Sequence, residues 1–192
     1  LLLKNSSEGY EYSLTGKLER RVAEGISGQL AYTYTHAENV NNVTSDRAIS
    51  NWQFNENKDI NNPRLGTADF INEHRILGEL TYRFSFADRF STSIGLIYEG
   101  RSGEPFSWVY NGNANFDTED TNDLVYVPAN EEDVVLTSDN WELLDSFIES
   151  EASLDQARGS VIRRNTARAP WGNILDLRLT QDIEPLKGQN VR

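Results

Sequence analysis

The stretch ILGELTYRFSFADRFSTSIGLIYEG, residues 76–100, writes one pattern twice around a short break. Before the break, Ile76, Leu80, Tyr82, Phe84 and Phe86 alternate with Glu79, Thr81, Arg83 and Ser85; after it, Phe90, Ile94, Leu96 and Tyr98 alternate with Ser91, Ser93, Gly95 and Glu99. A period of two sends one set to each face of a strand, so the stretch predicts a hairpin turned at 87–89, with one aromatic, apolar face and one polar face. Length adds a second argument. About ten residues at ~3.3 Å each span roughly 33 Å, and a ~45° tilt projects this to ~23 Å, close to the ~25 Å apolar band of a membrane-spanning β-barrel. Ordinary soluble strands run ~5–6 residues. Charge then fixes which face meets what. A one-residue slip would turn Glu79 and Arg83 into hydrocarbon at up to ~2–4 kcal/mol for a charge at the midplane, so the aromatic face is predicted to meet lipid and Glu79 and Arg83 a wet lumen.

The pattern recurs on both sides of this hairpin. In 10–19, Tyr10, Tyr12, Leu14, Gly16 and Leu18 alternate with Glu11, Ser13, Thr15, Lys17 and Glu19. In 26–36, Ile26, Gly28, Leu30, Tyr32 and Tyr34 alternate with Ser27, Gln29, Ala31, Thr33 and Thr35. In 173–182, Leu175, Leu177 and Leu179 alternate with Asp176, Arg178 and Thr180, which adds Asp176 and Arg178 to the lumen-facing set. Aromatic residues gather towards the strand ends, where an interfacial girdle would lie. The connections are short at 20–25 and 87–89 and very long at about 37–73 and 102–170. This is the asymmetry of periplasmic turns and extracellular loops. The expected fold is all-β: an antiparallel transmembrane β-barrel segment of five or six strands, with residues 1–192 forming part of one barrel domain and one long loop carrying a short helix.

Composition narrows the function. A formal net charge of −12 opposes binding to nucleic acid, whose phosphates require a basic surface. The absence of cysteine removes disulfides, thiolate metal sites and cysteine nucleophiles, and two histidines, His36 and His74, are too few for a clustered site. No serine stands in a nucleophile-elbow setting, so no catalytic residue, cofactor or metal is assigned and the chain reads as a non-enzyme. No apolar run reaches the ~18 residues of a membrane helix. The sequence starts without methionine at LLLKNSSEGYEYSL and stops at PLKGQNVR, where a new strand is expected to begin, which reads as a piece of a longer protein whose targeting signals lie elsewhere.

The long loops carry the remaining candidates. In 37–73 the aromatic anchors are Trp52, Phe54 and Phe70; in 102–170 the run PFSWVYNG places Trp108 and Tyr110 near the start. Trp52, Phe54, Trp108 and Tyr110 are the expected substrate contacts. Alternating oxygens at Asn111, Asn113, Asn115 and Asp117, with Glu119, Asp120 and Asp123 nearby, are ligands of the kind calcium prefers, but Phe116 occupies the place of the turn glycine, and a solvated acidic loop is the expected reading. TSDNWELLDSFIES predicts a helix with Asp139 as cap and Trp141, Leu144 and Ile148 as its apolar stripe. A second helical turn at SLDQAR ends at Gly159. Arg163, Arg164 and Arg168 follow, and are expected to staple the acidic loop internally, with an anion site as the alternative.

In order and spacing, YEGRSGEPFSWVY, NDLVYVP, WELLDSFIE, RGSVIRRNTARAPW and LDLRLTQDI resemble the C-terminal barrel of TonB-dependent outer-membrane receptors, in the subgroup with a carboxypeptidase-regulatory-like domain. The resemblance covers residues from about 25 to the end. It implies a plugged barrel of about 22 strands in the outer membrane of a Gram-negative-type bacterium, contact with outer-membrane lipid, and energised uptake of a bulky or scarce substrate. It also implies coupling to the TonB complex through an N-terminal part outside this sequence. Two other readings follow from the residues alone: a soluble extracellular glycan-binding β-sandwich that uses Trp52 and Trp108, and a passive porin-like or adhesive outer-membrane barrel.

Overall fold

Alternation along the chain becomes a single sheet of long strands. In the computed structural model, residues 5–86, 90–117, 119–136, 140–186 and 189–191 are described, with side chains up to residue 183. The chain folds as two compact units.

The sheet unit comprises Ser13–Thr35, Asn72–Gly103 and Pro170–Arg192. Its strands belong to β1 (Tyr10–Ala23), β2 (Ile26–Asn39), β4 (His74–Ser85), β5 (Phe90–Arg101), β10 (Gly172–Leu186) and β11 (Gln189–Val191), hydrogen-bonded in that order. The β4–β5 register pairs Leu80 with Leu96, Tyr82 with Ile94 and Gly78 with Tyr98. In β10, Leu177, Leu179 and Leu175 continue these rows, and in β2, Gly28, Ile26 and Leu30 do so on the other side. The alternate rows carry the charged and most of the polar groups: Gln29, Glu79 and Asp176 share one with Ile97, and Ser27, Thr81, Gly95 and Arg178 form another. The predicted parity therefore holds in four adjacent strands.

The apolar rows are uncovered. Leu14 is 72 % exposed, Leu177 74 %, Leu80 48 % and Leu96 39 %. Among the described residues, every buried hydrophobic side chain belongs to the other unit: Ala37, Ile60, Ile71, Leu124, Val127, Ile148, Leu154, Ile162 and Ala167. A soluble sandwich would bury this face under a second sheet. A contiguous greasy surface of four or five strands is stable only against an apolar solvent.

Aromatic rings mark both ends of the apolar band. At one end Tyr32 OH meets His74 Nδ1 at 2.8 Å, and the Tyr98 hydroxyl donates to Asn173 Oδ1 at 2.8 Å, as does Trp171 Nε1 at 3.2 Å. At the other, Tyr82, Phe84, Phe86 and Phe90 form a chain of ring contacts with centroids 5.3, 6.3 and 5.5 Å apart. The row of Ile76 and Gly100 lies eight residues from the row of Phe84 and Thr92, about 26 Å along the strand at ~3.3 Å per residue. A tilt of ~35–45° reduces this to roughly 19–22 Å, near the thickness of the apolar band.

The turns are tighter than the composition indicates. RRVAEG at 20–25 was expected to be a turn as a whole, but β1 continues to Ala23, leaving Glu24 and Gly25. Ladder hydrogen bonds override the charge of Arg20 and Arg21. The turn expected at 87–89 lies outside the described residues; Phe86 N donates to Phe90 O at 3.1 Å across it. Gly25 stands at φ 74°, its carbonyl accepts from Arg83 N at 2.7 Å, and a Cβ there would collide with the Arg83 carbonyl oxygen. Gly25→Ala is expected to cost about 1–2 kcal/mol for the left-handed backbone alone, and more for the displaced carbonyl. Gly16→Ala, with open space around the added methyl, is expected to change stability by less than about 0.5 kcal/mol. Urea refolding of the full-length protein in lipid vesicles, read by gel mobility, compares the two.

The loop unit comprises Leu1–Tyr12, His36–Ile71 and Glu104–Ala169. Its elements are α1 (Ala48–Gln53), β3 (Gly66–Thr67) against the end of β2, β6 (Pro105–Phe106) paired with β9 (Ala167–Arg168), and β7 (Tyr126–Val127) paired with β8 (Ser160–Val161). The expected helix is α2 (Trp141–Ser150), followed by α3 (Ala152–Asp155) and Gly159 at φ 74°. The N-cap position is Asn140; the expected cap, Asp139, lies outside the described residues. The stripe reading holds: Ile148 is 2 % exposed and, with Leu124, Val127, Leu154 and Ile162, builds a core on which Leu144 packs.

Candidate functional site

The polar face of the sheet collects the charges expected there. Glu79 Oε2 accepts from Gln29 Nε2 at 2.5 Å, Arg83 Nε donates to Ser93 Oγ at 3.0 Å, and Arg75 pairs with Glu99 at 3.0 Å. Asp176 and Arg178 alternate with the leucines of β10 and share rows with Glu79 and Gly95. Lys17, named for the same face, pairs with Glu19 at 3.0 Å on β1. Each of these ionic groups thus stands on the face opposite the leucines, where water can solvate it.

The aromatic residues of the loop unit part company. Trp108 packs on the core, donates from Nε1 to Ser153 Oγ at 3.1 Å and meets Phe147 edge-on at 5.7 Å. Its ring nitrogen and one ring edge are thus engaged within the loop unit. Tyr110 is 40 % exposed, and its hydroxyl accepts from Tyr126 N at 3.1 Å. Trp52, on α1, lines a groove of 690 Å³ with Asn41, Asn51 and Asn55, and its Nε1 lies 3.4 Å from Asn61 Oδ1. Phe54 ends that helix, 70 % exposed. The four thus contribute to separate surroundings.

The arginine staple takes a different partner from the one expected. Arg163 Nη2 meets Glu38 Oε1 at 3.0 Å, at the end of β2 and not in the acidic loop. Arg164 is 3 % exposed and donates to Asn55 Oδ1 at 2.5 Å, Asn39 O at 2.6 Å and Asn39 Oδ1 at 2.5 Å. Gly66 leaves room for it, since a Cβ there would come within 2.8 Å of Arg164 Cβ. Arg168 lies in β9, its backbone paired with Pro105. Complementary charge suggested the acidic loop; buried amide oxygens satisfy a guanidinium equally well in hydrogen-bond count. Burial pushes the Arg164 guanidinium down, opposed by Asp69 and Glu56, and burial pushes the Glu56 carboxyl up.

The oxygens of the acidic loop shape its own backbone. Asp123, 4 % exposed, accepts from Ala114 N at 2.7 Å and Asn115 N at 3.1 Å; Asn113 and Asn115 both accept from Asp117 N, and Asp117 accepts from Glu119 N. The Asn115-to-Asp117 and Asp117-to-Glu119 bonds are turns of the Asx type, and Asp123 closes the loop from farther along the chain. Among the described residues no three His, Cys, Asp or Glu side chains converge as metal ligands.

Sequence reasoning passed over the polar interior: Asn51, Asn55, Asn57, Asn122 and Asn165 are all buried. Asn165 shows how it is used, bonding to Thr67 O, to Asp69 Oδ1 and, through Oδ1, to Ser107 Oγ. The density of asparagine in 37–73 is the signal the sequence offers, and local rules assign such residues to turns.

Comparison with known proteins agrees with the sheet. A family model described as "Outer membrane beta barrel domain" matches residues 2–192. No curated protein and no solved structure gives a match. With the uncovered apolar rows and the two aromatic belts, that match removes the soluble sandwich reading: the chain belongs to the outer membrane β-barrel domain family and resides in the outer membrane.

Proposed function

We propose that this chain is a wall segment, with its loop domain, of a TonB-dependent outer-membrane receptor that imports a bulky or scarce substrate. The observation that carries this reading is the investment in the loops. Residues 36–71 and 104–169 fold with their own hydrophobic core and buried polar network, more than a passive pore needs of its connections. The stretches that resemble such receptors supply much of that fold. NDLVYVP contributes buried Asn122, Asp123, Leu124 and Val127; WELLDSFIE is α2; RGSVIRRNTARAPW contributes Ile162, Arg164, Asn165 and Ala167. In this reading the long loops are extracellular, the Glu79, Arg83, Asp176 and Arg178 face lines the lumen, the TonB complex is the energy-supplying partner, and no catalytic step occurs.

β1 and β11 end the sheet without further partners among the described residues. Open edges in lipid leave backbone groups unsatisfied at several kcal/mol each, which supports completion by further strands of a larger barrel.

The test uses the full-length protein in detergent and in planar bilayers. A plugged receptor is expected to retain the purified C-terminal domain of TonB and to give no steady conductance. Steady ohmic conductance with no TonB retention would overturn the reading and leave a passive barrel.

A further inference from the structure

The loop unit holds a cavity of 290 Å³ lined by Lys58, Arg64, Arg163 and Arg164. Asp59 is the acidic residue of that lining, in a chain whose net charge is −12. Such a concentration of cations runs against the composition of the molecule. Glu38 neutralises Arg163 at 3.0 Å. Lys58 and Arg64 are exposed and enter no ion pair among the described residues. Arg164 is 3 % exposed, its hydrogen-bonded partners are neutral oxygens of Asn39 and Asn55, and its Nε has no partner. Asp69 and Glu56 act on it electrostatically without touching it in an ion pair. A buried guanidinium is ordinarily matched by a contacting anion.

We propose that this cavity binds a tetrahedral dianion, a phosphoryl or sulfate group. Among the lining residues, the four cations less the charges of Asp59 and of Glu38 on Arg163 leave two positive charges facing the cavity, since Asp69 and Glu56 lie outside its lining. Guanidinium forks match the oxygens of such a group in bidentate fashion, and Lys58 adds a point charge at the rim. Leu65, Leu124, Val161 and Ile162 supply apolar wall beside the cations, which strengthens the electrostatics and gives room for a carbon skeleton attached to the anion. The group can arrive as the free ion or as an ester on a sugar or lipid headgroup; the recognition chemistry is shared.

Isothermal titration of the full-length protein in detergent, at constant ionic strength, tests this with sodium sulfate, sodium phosphate, glucose 6-phosphate and, as neutral control, glucose. Saturable binding of the dianions is expected, with glucose silent. The Lys58→Gln/Arg64→Gln double variant, changed only at exposed positions, is expected to weaken it roughly tenfold or more. Tighter binding of glucose 6-phosphate than of phosphate assigns the site to esters, and equal binding assigns it to the free ion. Absence of saturable binding by wild-type protein of native circular dichroism, or equal affinities in the double variant, would overturn the proposal. The measurement needs no energy source, so its failure leaves the receptor reading intact.

Discussion

Replacing Arg164 by methionine is expected to destabilise the loop unit by about 3–5 kcal/mol, more than any exposed substitution in that unit. The side chain donates three hydrogen bonds, to Asn55 Oδ1, Asn39 O and Asn39 Oδ1, and so ties the segment after β8 to the end of β2 and to the segment after α1. Hydrogen bonds from a charged donor contribute ~1.5–3 kcal/mol each, and acceptors left buried without a partner cost ~1–3 kcal/mol. Relief of guanidinium burial, which already pushes its pKa down, offsets part of this. Arg163 provides the comparison. Its pair with Glu38 is at 3.0 Å, but the arginine side chain is 62 % exposed, so Arg163→Gln is expected to cost less than about 1 kcal/mol. Hydrogen exchange of the full-length protein reads both, at the amides of Ile162 and Gly159, which donate to Val125 O and Val127 O. Equal losses of protection in the two variants would mean that the buried network contributes no more than a surface ion pair.

The contrast between these neighbouring arginines also marks what the sequence made legible. Strand parity was readable because hydrocarbon and water impose opposite demands on alternate residues: Leu80, Tyr82, Leu96 and Leu177 stand on one face, Glu79, Arg83, Asp176 and Arg178 on the other. The stripe of α2 was readable for the same reason, since one face of Trp141–Ser150 must find a core. The loop interior was not. Asn55, Asn122 and Asn165 carry no periodic signal, and their burial depends on partners far along the chain, such as Arg164 for Asn55 and Asp69 for Asn165. Local rules read the same residues as turn formers. Trp108 is hard to read for the same reason: an aromatic in a polar loop suggests a ligand platform, but only the distant α2 and α3, which supply Phe147 and Ser153, show that it packs against the core. The cationic cavity joins Lys58 and Arg64 to Arg163 and Arg164 across about a hundred residues, a grouping that no spacing rule in one sequence reveals.

The second large effect concerns the face of the sheet, and one substitution at two adjacent positions isolates it. Leu96 lies midway between the aromatic belts, in the row of Gly28, Leu80 and Leu177. Leu96→Arg places a charge near the centre of the apolar band and is expected to cost about 2–4 kcal/mol, depleting the folded, heat-modifiable form in outer membranes of cells expressing the full-length protein. Ile97 is the next residue on the same strand, but its neighbours across the ladder are Glu79 and Asp176. Ile97→Arg sets a cation between two carboxylates on the polar face, where cross-strand pairs of opposite charge are worth ~0.2–1 kcal/mol, and is expected to leave folding within about 1 kcal/mol of wild type. Strand propensity, side-chain volume and distance from the turn are nearly shared by the two sites, so the difference reports the medium each face meets. Equal tolerance of both arginines would mean that the leucine rows do not face hydrocarbon, and loss of folding only in Ile97→Arg would invert the faces, placing Glu79 and Asp176 against lipid.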